Sequence, residues 1–191
     1  MQHIHIFRAD RRSVDALAAC DFSFEVRQEM QPPFDAFSLD RVRTLATPYR
    51  KSYGFSRAEL LQALDDSERA VFLAKDDDEA IGYLIVSRCW SGFAIIDDIA
   101  VDSRHRGRGV ARCLMDQAFA WARDGGMPGV RLETQSNNVG ACRFYARSGF
   151  VLGGHDRCLY QALHPGTREV ALFWYLLFDR NTAEYVSECQ T

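Results

Sequence analysis

The chain has 191 residues, 47% of them hydrophobic, and a formal net charge of −3 at pH 7. Its length suits one domain with a substantial core, which we expect over residues 1–191, and its apolar content excludes a disordered protein. The negative net charge argues against general nucleic-acid binding, because phosphate contacts need a surplus of basic residues.

Signals for export, membrane insertion and metal binding are missing from the sequence. The N-terminus lacks the basic and then apolar run of a signal peptide, and no apolar stretch is long enough to span a bilayer. The six cysteines form no CxxC pair, which favours reduced thiols over disulfides or zinc. His3 and His5 have no further ligands beside them in the sequence. We therefore expect a cytoplasmic protein with no membrane partner and no metal.

The N-terminal part of the chain begins with three predicted elements: a strand over 3–8, a helix over 11–20 and a half-buried strand over 22–30. Residues 35–55 follow no regular pattern, which indicates either a functional loop or a concealed element. Ser56 and Glu59 have the spacing of a capping box, which predicts a helix running to about residue 64.

The middle of the chain predicts a hairpin and then a strand–turn–helix unit. Strands over 70–74 and 80–87 flank an acidic run that marks a solvated turn. Residues 94–101 are apolar enough for a strand buried on both faces. The helical spacing of apolar residues over 109–123 predicts a helix that ends by Gly125.

The C-terminal part predicts four further elements: a strand over 129–134, a helix over 138–147 ended by Gly149, an extended segment through 150–153 and 158–160, and a strand over 170–178. The residues beyond 179 carry little signal. This order of elements predicts an α/β protein with a mixed sheet covered by helices.

The turn between the strand at 94–101 and the following helix is rich in glycine and arginine. Glycine lets a ligand approach the first-turn N–H groups, which have no backbone acceptor and carry partial positive charge. Arginines at 104, 106, 108 and 112 add charge around them. A Rossmann fingerprint would need glycine at 112, and the Gly-Lys-Ser/Thr of a P-loop is missing. The pattern Arg104-x-x-Gly107-x-Gly109 predicts a different pyrophosphate-binding turn. An ordinary strand-to-helix turn with solvated arginines is the alternative.

A second group of residues, Asn138, Ala141 and Tyr145, has helical spacing and so shares one helix face. Ala141 would let a ligand lie close, Asn138 could hydrogen-bond an amide, and Tyr145 would direct its hydroxyl along that face. Tyr145 could instead be a core aromatic residue with a satisfied hydroxyl.

The two motifs together resemble the acetyl-CoA half of the GNAT superfamily of acyl-CoA-dependent N-acetyltransferases. Four more stretches are similar to streptothricin acetyltransferases within GNAT: 48–53, 130–138, 149–154 and 171–175. Those enzymes acetylate an amine on the β-lysine portion of a cationic antibiotic. They tend to carry glutamate where this chain has Asp97, which is one methylene shorter.

The resemblance implies the fold and the cosubstrate. The fold would be a mixed, mostly antiparallel twisted sheet with helices on both faces and splayed central strands. The N-terminal half would form the acceptor side and residues from about 93 to 160 the acetyl-CoA-binding core. The residues implied to bind acetyl-CoA are Ile99, Ala100, Val101, Arg104, Arg106, Gly107, Arg108, Gly109, Val110, Ala111, Asn138, Ala141 and Tyr145.

The resemblance also implies catalytic roles. Asp97 or Asp98, directly or through water, would take a proton from the acceptor's ammonium group, and Tyr145 would protonate the departing thiolate. Strand alternation sends the two aspartates to opposite faces, so at most one would point into the cleft. Both could instead be structural residues that pair with arginine or cap nearby N–H groups. No covalent enzyme intermediate is required, and Cys142, which lacks a paired histidine, would be a packing residue.

Several alternatives stay open on the sequence. Glu25, Glu29 and Asp35 could attract a cationic acceptor or form a solvated face. The main hypothesis is an acetyl-CoA-dependent N-acetyltransferase that acts on a primary amine of a small cationic compound such as streptothricin. A protein N-terminal or lysine acetyltransferase, a non-catalytic acyl-CoA-binding module and an interaction protein are the alternatives. The oligomeric state is undetermined and a homodimer is left open.

Overall fold

The structure, a computed structural model, describes residues 4–190, without the side chains of the last two. It divides into two units, the first made of residues 4–24 with 51–128 and the second of residues 25–50 with 129–190. His3 lies outside the described residues. The single domain expected over the whole chain stays a prediction.

The described residues form nine strands and six α-helices. In chain order the strands are β1 (Ile4–Arg8), β2 (Phe24–Met30), β3 (Val42–Lys51), β4 (Arg69–Asp76), β5 (Glu79–Arg88), β6 (Ala94–Val101), β7 (Gly129–Gln135), β8 (Val151–Asp156) and β9 (Ala171–Leu177). The helices are α1 (Arg11–Asp15), α2 (Arg57–Asp65), α3 (Val110–Asp124), α4 (Val139–Arg147), α5 (Leu159–Leu163) and α6 (Thr182–Gln190). Short 3₁₀ segments occupy Ala16–Ala19, Leu39–Arg41 and Ser103–His105.

The first unit contains an antiparallel sheet in the order β1-β4-β5-β6. One face carries Val71, Leu73, Tyr83 and Ile85, which form a buried cluster with α1, the first 3₁₀ segment and α2. The helix α3 packs on β4, β5 and β6 without joining that cluster, so it covers the other face. Helices therefore cover both faces of this sheet, as predicted.

The second unit contains a sheet in the order β7-β9-β8, with antiparallel neighbours, and the pair β2-β3. Trp174 on β9 is fully buried and lies at the centre of this unit's aromatic packing. The helix α6 packs on β8 and β9. Together the two units give the mixed α/β architecture with mostly antiparallel strands that the sequence predicted.

The segment 35–55 is not an irregular loop, because most of it forms β3. This strand is exposed along nearly its whole length, so its sequence lacks the alternation that burying one face would impose. Pro48 cannot donate to a ladder and is tolerated in a two-stranded pair where one edge stays open. The concealed element is therefore an exposed strand.

One C-terminal prediction was wrong, and one segment without a prediction forms a helix. Residues 158–160 are not extended but begin α5, because the Asp156 carboxylate accepts hydrogen bonds from the N–H groups of Cys158 and Leu159 at 2.6 and 3.1 Å. Beyond residue 179, where the sequence carries little signal, α6 begins after Asn181, whose side chain accepts from the N–H of Ala183 at 3.1 Å. Both starts depend on hydrogen bonds accepted by a short polar side chain, which need no hydrophobic pattern.

The helix predicted over 11–20 is α-helical only over Arg11–Asp15 and continues as the 3₁₀ segment Ala16–Ala19. Most other predicted elements match the structure within one or two residues. The side chain of Ser56 accepts from the N–H of Glu59 at 3.3 Å and caps α2. Gly149, at φ 89°, ends α4 in the left-handed conformation. Among residues 4–190, none of the helices combines the length and apolar character that crossing a membrane would need. The cytoplasmic location stays a prediction.

Candidate functional site

The turn between β6 and α3 is shaped by two glycines in the left-handed region. Gly107 has φ 74° and Gly109 has φ 87°, values that other residues adopt only at a cost. A Cβ added at either position would meet no atom within 4 Å. The backbone is therefore open on this side, and a ligand can approach it closely.

The turn delivers the N-terminus of a long helix to that open space. Gly109 is the N-cap residue of α3, and no side chain of the described residues caps the helix there. The first-turn N–H groups belong to Val110, Ala111 and Arg112. They have no acceptor within the helix and lie at the positive end of the helix dipole. These donors suit the oxygens of a pyrophosphate group.

The arginines of the turn are engaged with the protein itself. The Nε of Arg106 donates to the carbonyl oxygen of Val101 at 3.0 Å, and its guanidinium donates to that of Ser23 at 2.8 Å. Arg104 pairs with Glu79 at 2.7 Å, and Arg112 pairs with Asp116 at 3.1 Å. The Nη1 of Arg108 lies 3.9 Å from Asp76. The acidic run at the β4–β5 turn thus supports this loop, a role that the sequence did not reveal.

Asp102, which the sequence analysis did not single out, holds the turn together. Its side chain is fully buried and accepts from the N–H of Asp21 at 2.8 Å and from the N–H and Nε of Arg104 at 2.9 and 3.0 Å. The Nδ1 of His105 lies 3.2 Å away. Burial alone would raise the pKa of Asp102, but these hydrogen bonds outweigh it and hold the pKa well below its usual range. The signal in the sequence was an aspartate that directly follows an apolar strand and precedes an arginine-rich turn.

Asp97 and Asp98 lie on the same face of the first unit's sheet, not on opposite faces as alternation predicted. Val86 pairs with Ile96 and Ile85 with Asp98, so Asp97 is an extra residue in β6. This β-bulge places two consecutive side chains opposite one partner residue. Both carboxylates therefore lie on the sheet face that α1 and α2 cover.

Contacts of the two carboxylates confirm that shared face. Asp98 accepts a 2.5 Å hydrogen bond from the hydroxyl of Tyr83. Asp97 is hydrogen-bonded to Ser87 and lies 4.0 Å from the Nε of Arg69. Arg69 pairs with Ser87 across the sheet, two steps along each strand from the pair of Val71 with Ile85, so both share the face of Tyr83. Burial raises the pKa of both aspartates despite these partners.

The strand β6 is less buried than the sequence predicted. Ala94, Ile96 and Val101 are buried, whereas Ile99 and Ala100 are partly exposed. A strand buried on both faces would hide all of them. The partial exposure leaves Ile99 and Ala100 accessible within the part of β6 that the resemblance assigns to acetyl-CoA.

In the second unit, Asn138 caps α4 and does not lie within it. Its Oδ1 accepts from the N–H of Ala141 at 3.2 Å. Tyr145 is buried, and its ring packs against Phe150 and Trp174 with centroids 5.9 and 6.1 Å apart. The packing fixes the ring, as in a core aromatic residue. The structure leaves the proposed role of the Tyr145 hydroxyl untested.

The cysteines and acidic residues considered as alternatives have ordinary surroundings. Burial raises the pKa of Cys142 to about 12 and that of Cys20 to about 11, so neither is a thiolate at neutral pH. Within the described residues, no group of three or more His, Cys, Asp or Glu side chains could hold a metal ion. Three acidic residues form ion pairs: Glu25 with Arg27, Glu29 with Arg43, and Asp35 with Arg41.

Comparisons with known proteins agree with this geometry. The acetyltransferase (GNAT) family matches the chain over residues 27–150. A streptothricin acetyltransferase of Escherichia coli is 38% identical over 146 residues, which cover 74% of this chain and 80% of that protein. Streptothricin acetyltransferase A of Bacillus subtilis (strain 168) is 36% identical over 131 residues, which cover 69% and 75%.

A solved structure is similar over nearly the whole chain. It is the complex with acetyl coenzyme A of a Bacillus anthracis (strain Ames) protein provisionally named a streptothricin acetyltransferase. The TM-score is 0.80 at 32% identity, and the match covers 92% of this chain and 100% of that one. The present chain belongs to the GNAT family of acetyltransferases. It is an N-acetyltransferase that uses acetyl-CoA as cosubstrate and an amine as acceptor.

Proposed function

We propose that this N-acetyltransferase acetylates a primary amine of a small cationic acceptor, namely streptothricin at its β-lysine portion. The observation that carries the proposal is the pair Asp97 and Asp98 on one sheet face, since two neighbouring carboxylates attract an ammonium group and can accept its proton. The acceptor's identity is supported by relatives named streptothricin acetyltransferases.

Acetyl-CoA supplies an acetyl thioester, and the turn after β6 is the proposed holder of its pyrophosphate. The open backbone at Gly107 and Gly109 and the uncapped first turn of α3 fit that group. Because the arginines of the turn are largely paired with the protein, the backbone N–H groups would supply most of the binding. Arg108, whose partner is 3.9 Å away, would add charge.

The proposed chemistry needs three actions from this chain. A backbone N–H near Ile99 donates to the thioester carbonyl oxygen and stabilises the negative charge that develops there. Asp97 or Asp98 removes a proton from the acceptor's ammonium group, whose pKa is near ~10 if it resembles lysine. Tyr145 donates a proton to the leaving sulfur. The amine attacks the acetyl carbon directly, and the neutral thiol of Cys142 takes no part.

Release of free thiol from acetyl-CoA tests the proposal. The acceptor panel contains streptothricin, polyamines, aminoglycosides and lysine peptides. We expect fast, selective release with streptothricin and mass-spectrometric addition of one acetyl group to its β-lysine portion. Selective acetylation of peptides would instead establish a protein acetyltransferase. Binding of coenzyme A without release for any acceptor would contradict the proposed acceptor class.

A further inference from the structure

We propose that Tyr83 is a positioning residue whose hydroxyl fixes the carboxylate of Asp98, so that Asp98, and not Asp97, takes the proton from the acceptor's ammonium group. This inference rests on the proposed function, and it selects between the two aspartates that the function leaves open. It also assigns a role to a core tyrosine that no sequence motif pointed to.

The hydroxyl of Tyr83 is held in place by its ring. The side chain is 2% exposed, and Phe22 and Phe55 pack against the ring edge-on with centroids 5.2 and 6.2 Å away. The phenol is therefore a donor with little rotational freedom, and it lies 2.5 Å from Asp98 Oδ2. A donor fixed in this way holds one carboxylate oxygen in place, and the carboxylate has further lone pairs that can accept from the acceptor.

Asp97 has different partners, which suit a binding role better than proton transfer. Ser87 donates to its carboxylate and the Nε of Arg69 lies 4.0 Å away. Arg69 also lies 3.6 Å from Asp66, so this cation is shared between two acids. A carboxylate beside a guanidinium group holds protons less firmly. The cation favours the charged form of Asp97, which suits a residue that binds the acceptor's ammonium group.

Two acidic groups act on Asp98, namely Glu59 from α2 and Asp97 from its own strand. Tyr83 from β5 donates to it without carrying charge. Burial raises the pKa of Tyr83 as well, so the phenol stays protonated and remains a donor. For Asp98, burial and these like charges raise the pKa, whereas the Tyr83 hydroxyl and the N–H of Ile99 lower it. Loss of the hydroxyl should therefore raise the pKa of Asp98 further.

In the proposed transfer the acceptor nitrogen loses two protons. The first moves from the ammonium to Asp98, after which the amine nitrogen bonds to the acetyl carbon and the carbon–sulfur bond breaks. The leaving sulfur takes a proton from Tyr145, and the second proton of the nitrogen restores the Tyr145 hydroxyl. Asp98 releases its proton to solvent. The hydroxyl of Tyr83 keeps its own proton throughout, which is why it positions the base and does not act as an acid.

The experiment compares the pH dependence of kcat/KM for the wild type, Tyr83→Phe, Asp98→Asn, Asp97→Asn and the double variant Tyr83→Phe/Asp98→Asn. The ratio of Tyr83→Phe to wild type cancels the acceptor's own ionisation. We expect this ratio to fall with decreasing pH, with the acid limb moved upward by about one pH unit, and to approach one at alkaline pH. In the Asp98→Asn background, Tyr83→Phe should have no further effect.

A control variant distinguishes positioning of Asp98 from a merely structural role of the Tyr83 hydroxyl. Tyr160→Phe removes a comparable 2.6 Å hydrogen bond, from Tyr160 to Glu133 in the second unit, and should not move the acid limb. An equal loss at every pH, or an acid limb abolished by Asp97→Asn alone, would overturn the inference. Carboxyl ¹³C NMR titration of Asp98 needs no turnover: an unshifted titration in Tyr83→Phe refutes positioning, whereas inactivity toward all acceptors refutes the proposed function.

Discussion

The backbone N–H of Asp21 donates a 2.8 Å hydrogen bond to the buried carboxylate of Asp102, although 81 residues separate them. The carbonyl oxygen of Asp21 accepts from the N–H of Ser103, also at 2.8 Å. This double connection ties the start of the glycine turn to the segment between the first 3₁₀ helix and β2. The first residues of the turn are therefore held in place, which an anion site made of backbone N–H groups requires.

Substitution Asp102→Asn should destabilise the protein by about 2–3 kcal/mol at pH 7, because it removes a buried charge that several donors require. The folded pKa of Asp102 lies below the ordinary carboxyl value, so its stabilisation is present above that value and is lost as the pH falls through the folded pKa. Urea unfolding at pH 7 and near pH 3 should show the difference shrinking in acid. The exposed pair of Asp116 with Arg112 provides a control, since Asp116→Asn should cost no more than about 0.5 kcal/mol.

Substitution Gly109→Ala should raise the KM for acetyl-CoA about tenfold, the equivalent of one hydrogen bond to a charged group. Its left-handed φ of 87° strains any residue with a Cβ, by about 1 kcal/mol, and shifts the first-turn N–H groups. Gly92 matches it closely, with φ 88° and no atom within 4 Å of an added Cβ. Gly92→Ala should lose similar stability with an unchanged KM. An equal KM in both variants would contradict the assigned pyrophosphate site.

Substitution Tyr145→Phe should lower kcat by about 100-fold at alkaline pH, where a protonated leaving group matters most. The ring contacts with Phe150 and Trp174 persist in phenylalanine, so the thermal midpoint and the calorimetric affinity for coenzyme A should change little. Stopped-flow thiol release gives the rate. A variant with wild-type turnover would remove Tyr145 from the role of general acid.

Substitution Asp98→Asn should raise the free energy of unfolding at neutral pH while abolishing the acid limb of activity. Because burial raises the folded pKa of Asp98 above its usual value, the folded protein binds more protons and loses stability as the pH rises through that range. The amide avoids this cost and still accepts from Tyr83. In thermal melts at pH 7, Asp98→Asn should raise the melting temperature, whereas Asp102→Asn should lower it. Near pH 3 both changes should be smaller. Destabilisation at pH 7 would show that the hydrogen bond outweighs burial.

Local chemistry explains what the sequence could predict. The positive φ values of Gly107, Gly109 and Gly149 follow from glycine's lack of a Cβ, and the extent of α3 follows from its apolar spacing and its flanking glycines. The GNAT family followed from two motifs whose residues are close together in the sequence. These features depend on neighbours within a few positions, which a single sequence displays.

The features that the sequence did not predict depend on the three-dimensional surroundings of each segment. The bulge at Asp97 exists only relative to the register of β5, and alternation within β6 could not reveal it. The role of Asp102 requires Asp21 and Arg104 to meet in space. The strand β3 shows no alternation because it is exposed along nearly its whole length. In the first two cases a deciding partner belongs to another element, and in the third no face of the strand is buried. The sequence pattern of the segment itself was therefore insufficient.

The extra residue in β6 shifts the alternation of side chains by one position. As a result Ala94 and Ile96 before it face the same side of the sheet as Ile99 and Val101 after it. Deleting a single residue there would turn either Ala94 and Ile96 or Ile99 and Val101 toward the opposite side, whereas a substitution at position 97 leaves both halves in place. The position can thus vary in side-chain length and charge without disturbing the interior.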